Sequence, residues 1–73
     1  MSIYFVGESS DNLMTVTASS PQRAVEEYTA EAYGDLRDAL DSMYVDSYVY
    51  VYEAKIKTWK FTIENNPRIV EVK

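Results

Sequence analysis

From Met14 to Ala18 apolar and polar residues alternate strictly: Met14, Val16 and Ala18 interleave with Thr15 and Thr17. This two-residue period predicts a half-buried strand. The period then changes, and Ala24, Val25 and Tyr28 recur at helical spacing behind Ser20 and Pro21. A serine oxygen can accept from the free N–H groups of a first helical turn. Proline fits the first helical position, where its fixed φ suits the helix and its missing N–H costs nothing. Met14 to Tyr28 therefore reads as a strand that runs directly into a helix.

The flanking segments follow the same logic. Ile3 to Val6 predicts a short strand, and the polar stretch Gly7 to Asn12 predicts a hairpin loop leading to a returning strand over Leu13 to Ala18. Gly34 ends the helix, because glycine readily takes the left-handed conformation that closes a helical turn. Asp35 caps a second, shorter helix over residues 36–44, in which Leu36, Ala39, Leu40 and Met43 repeat at three and four. Alternation returns at Tyr48. Tyr48, Tyr50, Tyr52, Ala54 and Ile56 share one face of a strand, and Val49, Val51, Glu53, Lys55 and Lys57 share the other.

With the tyrosines taken as the core face beneath the helices, Val49 and Val51 are left on an open face that calls for a partner or a second copy. Trp59, Phe61 and Ile63 then continue the apolar face with the opposite parity. A regular strand cannot change face, so a bulge or tight turn is expected near Lys57 and Thr58, with Trp59 shielded in the core. Glu64-Asn65-Asn66-Pro67 predicts a turn, and Arg68 to Val72 a last strand with Val70 and Val72 facing the same way. The order is β-β-α-α-β-β-β. It defines an α+β chain, a small antiparallel sheet of four to five strands covered on one face by one or two helices, in a single domain over residues 1–73.

Charge changes this picture most. The net charge is −5, but residues 1–46 hold nine acids against Arg23 and Arg37, a net of −7, while residues 47–73 carry +2. Such a split within one small domain tends to become a split between faces. Cysteine and histidine are absent. Thiolate metal sites and disulfides are thereby excluded, and the usual general base is missing. No Gly-rich phosphate loop, nucleophile–base pair or calcium loop can be assembled, so the chain is expected not to be an enzyme and to need neither a cofactor nor a small-molecule substrate. No apolar run approaches a membrane span, and a cytoplasmic location is expected.

Three groups of residues carry candidate interactions. On helical spacing Glu27 and Glu31 lie four apart, and Asp35, Asp38 and Asp41 continue the row if the helix axis is kept. Like charges so placed repel by a few tenths of a kcal/mol per pair, roughly. The row is either a solvated helix face or a string of carboxylates imitating a phosphate backbone, fit for a protein with a basic nucleic-acid-binding groove. A second group, Lys55, Lys57 and Lys60 beside Trp59 and Phe61, would suit a single nucleic-acid strand, against which the acidic balance argues. The third group is the tyrosines, which supply apolar area with a polar tip and are common both in cores and at interfaces, including those between two copies of a chain.

A strand followed by S-P-x-x-A-V-x-x-Y, from Ser20 to Tyr28, inside a short acidic α+β chain resembles small phage-encoded proteins. Some of these inhibit host RNA polymerase, restriction enzymes, DNA-repair nucleases or CRISPR effector complexes, in part as DNA mimics. The resemblance spans about a fifth of the chain and carries over no functional residue. It implies a protein-binding inhibitor acting in a host cytoplasm.

Overall fold

The computed structural model describes residues 1–9, 11–42, 48–53, 57–64 and 68–72. Five strands and two helices follow in the expected order: β1 (Ser2–Gly7), β2 (Met14–Ala18), α1 (Pro21–Tyr33), α2 (Leu36–Ser42), β3 (Val49–Glu53), β4 (Lys57–Glu64) and β5 (Arg68–Val72). All strand pairs are antiparallel, and the sheet order is β2-β1-β3-β4-β5. The fold is α+β, with the helices on one face of the sheet.

Local chemistry sets the helix ends. The Arg23 N–H donates to Ser20 Oγ at 3.2 Å, and Pro21 opens α1. Gly34 closes it at φ 98°, a conformation costly for any residue with a Cβ, and its N–H donates to the Ala30 carbonyl at 3.1 Å. Asp35 starts α2, its Oδ1 accepting from the Asp38 N–H at 2.8 Å. Gly7 serves a different purpose. A Cβ there would lie 2.5 Å from the Asn12 carbonyl oxygen, because the loop between β1 and β2 folds back over the strand end.

The core lies between the sheet and α1. Tyr4, Val6, Val16 and Ala18 come from the first hairpin, Ala24, Val25 and Tyr28 from α1, and Val49, Val51, Phe61 and Ile69 from the last three strands. Trp59 is half-buried against this cluster, its ring edge-on to Tyr4 with centroids 6.0 Å apart. It thus sits on the covered face, as expected, though only partly shielded. Ala39 of α2 is also fully buried.

Two expectations about β3 and β4 are overturned. Val49 and Val51 are completely buried, and Tyr48, Tyr50 and Tyr52 are half-exposed. The tyrosines therefore belong to the open face, and the valines pack beneath the helix. Valine has no polar group to keep in water and can be buried completely, whereas a tyrosine at a half-exposed position keeps its hydroxyl within reach of solvent. Nor does the apolar face change parity at Lys57 and Thr58. Of the bulge or tight turn expected there, the bulge is absent from the regular β3–β4 register, and the connection between these two antiparallel strands lies outside the described residues. Lys57 and Thr58 lie inside β4, opposite Glu53 and Tyr52, and Val51 and Val49 pair with Trp59 and Phe61 on one continuous face. The supposed parity shift came from assigning the tyrosines to the core. The turn at Asn65-Asn66-Pro67 and the end of the second helix at Met43 and Tyr44 lie outside the described residues.

Candidate partner-binding surface

α1 lies across the sheet with charged residues on both flanks. On one flank Glu27 and Glu31 overhang edge strand β2, lining an open groove of about 420 Å³ with Met14 to Thr17. On the other, a cleft of about 440 Å³ opens between α1, α2 and β5, bordered by Thr29, Asp35, Leu36, Arg68 and Ile69. The five carboxylates of the predicted row are all exposed. The helix break at Gly34 divides them. Glu27 and Glu31 stay together on α1, and Asp35, Asp38 and Asp41 belong to the α2 segment.

Among the described residues the ion pairs are Arg23–Glu26 at 3.1 Å and Arg68–Glu64 at 3.3 Å, so none of the five is neutralised by a described base. Nor do any three acids among the described residues converge closely enough to hold a metal ion. The arrangement can present negative charge to a partner. Asp35 has a structural duty as well, since its carboxylate caps α2.

The lysine and tryptophan set is not brought together. Lys57 and Trp59 alternate onto the covered side of β4, and Lys60 falls on the open side, its Nζ 4.5 Å from the centre of the Tyr48 ring. Lys55 lies outside the described residues. A single strand could not run along these side chains on one surface.

One interaction was missed by the sequence reading. Glu8, in the loop after β1, accepts hydrogen bonds from the hydroxyls of Tyr28, at 2.6 Å, and of Tyr33, both through Oε2. The two rings meet edge to face. This carboxylate ties the first hairpin to the last turns of α1. In sequence Glu8 is one acid in a polar loop, and nothing in its spacing points to tyrosines twenty and twenty-five residues later.

Burial raises the pKa of both hydroxyls, and the hydrogen bond and negative charge of Glu8 raise them further. Tyr33 is pushed up to about 12, and Tyr28 rises as well. A raised folded-state pKa means that the native chain holds these protons after the unfolded chain has lost them. Their contribution to stability is complete below the ordinary tyrosine pKa of 10.0 and is lost as pH rises towards 12. Absorbance titration should show Tyr28 and Tyr33 ionising late, and the melting temperature should fall from about pH 10 upward. In Tyr33→Phe that fall should be shallower. An unchanged alkaline slope would show that Tyr33 does not contribute.

No protein-family model, curated protein or solved structure matches the chain. Among the described residues, no helix is long and apolar enough to cross a membrane.

Proposed function

We propose that the chain is a small acidic inhibitor or adaptor that binds a nucleic-acid-handling protein through the carboxylates of its helical layer. The observation that carries this reading is the set of five exposed acids, Glu27, Glu31, Asp35, Asp38 and Asp41, with no described base paired to any of them. Keeping Glu27 and Glu31 one turn apart costs a few tenths of a kcal/mol, roughly, in the free protein. A basic groove shaped for phosphates relieves that repulsion and speeds encounter through long-range attraction. RNA polymerase and CRISPR effector complexes, targets of the phage proteins this chain resembles, have surfaces of this kind.

The test is charge reversal that spares the α2 cap. Glu27→Lys, Glu31→Lys and Asp41→Lys together leave Asp35 in place. The triple variant should lose capture of the target from a bacterial lysate, and the wild type should release it at high salt or when nucleic acid is added. Its melting temperature should stay close to that of the wild type, because one like-charged pair four residues apart replaces another within α1. Capture that survives the triple reversal would sink the reading.

A further inference from the structure

No described element covers the face of the sheet turned away from the helices. Along it run Ile3 and Phe5 of β1, Thr15 and Thr17 of β2, Tyr50 and Tyr52 of β3 with Tyr48 just before them, Lys60 of β4, and Val70 and Val72 of β5. Ile3 is 57% exposed and Phe5 38%. Phe5 stands directly opposite Tyr52, so aromatic rings from the adjacent strands β1 and β3 form one patch.

We infer that this face binds a second copy of the same chain, sheet against sheet. Charge selects the occupant. Apart from the Glu64–Arg68 pair at one end, which neutralises itself, Lys60 is the charged side chain that the described strands place on this face. A nucleic-acid strand needs several cations along its phosphates, and one lysine against a net charge of −5 does not supply them. A basic protein finds its complement on the opposite, helical side. Two copies meeting through their helices would bring acid against acid, whereas through the open sheets they meet where like charge is least.

Size agrees with this occupant. Five strands about 4.8 Å apart, each about five residues long at about 3.3 Å per residue, present a face of roughly 400 Å². Two such faces would bury about 800 Å², below the standard range of specific interfaces and suited to a reversible association. With β3 at the centre of the sheet, a two-fold axis along β3 lays the Ile3 and Phe5 strip of one copy over the Lys60 strand of the other. The two Lys60 side chains stay apart, and the tyrosines of the two β3 strands meet at the axis.

Sedimentation across a concentration series, from dilute to millimolar, tests the inference. The wild type should shift from monomer to dimer mass. Ile3→Glu and Phe5→Glu should each remain monomeric with a native circular dichroism spectrum, and Glu31→Lys, on the other side of the molecule, should still dimerise. Should Phe5→Glu fail to fold, the more exposed Ile3→Glu decides. A wild type that stays monomeric at millimolar concentration overturns the proposal, as does a dimer that survives Ile3→Glu. So does a monomer whose Ile3 and Phe5 resonances move when a single-stranded oligonucleotide is added, which would assign the face to nucleic acid.

Discussion

Phe61→Ala should leave the domain barely folded. Phe61 is 2% exposed and stands opposite Val49 in the middle of the covered face. Truncating a buried phenylalanine costs about 3–5 kcal/mol, because the removed atoms lose their burial and the cavity collapses only in part. A chain of 73 residues has a total stability of about 4–11 kcal/mol, so this one change removes a large share of it. Urea unfolding followed by circular dichroism would show the midpoint collapsing. Tyr50→Ala is the matching control, since Tyr50 is half-exposed on the opposite face and its loss should cost no more than about 1 kcal/mol. If the two costs came out reversed, the sheet faces would be assigned the wrong way round.

Glu8→Ala should cost about 2–3 kcal/mol, a large loss for a residue in a surface loop. The reason is the Tyr28 hydroxyl, which belongs to a buried side chain and donates its proton to the Glu8 carboxylate, so that deleting the carboxylate takes this acceptor away. Tyr33 is more exposed and can turn to water, so most of the cost rests on Tyr28. Glu8→Gln keeps an acceptor oxygen and should cost about half as much, since a neutral hydrogen bond replaces a charge-assisted one. A double-mutant cycle with Tyr28→Phe isolates the coupling. Removing the hydroxyl together with its acceptor should be cheaper than the sum of the two single changes. Strict additivity in that cycle would show that the pair does not interact.

Those two residues also mark where the sequence is legible and where it is not. Helix boundaries were readable because capping is local: Ser20, Pro21, Gly34 and Asp35 act within four residues of themselves. Strand positions were readable for the same reason, through alternation. The choice of face in β3 was not. Tyr48-Val49-Tyr50-Val51-Tyr52 is apolar on both sides, so its period divides the residues into two sets without saying which one α1 will cover. The registers with β1 and β4 settle that, and they depend on residues far away in the chain. The acidic row was legible as composition, but its continuity depended on a helix axis that Gly34 interrupts. The Glu8 clamp left no trace in the sequence, because its partners are joined only by tertiary structure.

The sheet order has a consequence for how the molecule comes together. The β1–β2, β3–β4 and β4–β5 pairings join strands that are neighbours along the chain, and each can zip from its own connection. The β1–β3 seam is different: there Gly7 meets Tyr50 and Tyr4 meets Glu53, with both helices in the intervening chain. Closing it costs the entropy of a long loop, a cost that grows only slowly with length but must be met before the contacts form. The two parts it joins carry net charges of opposite sign, −7 over residues 1–46 and +2 over residues 47–73. They attract each other through water, and added salt weakens that attraction. Closing this seam thus has the character of a docking reaction between two oppositely charged partners that happen to share one backbone.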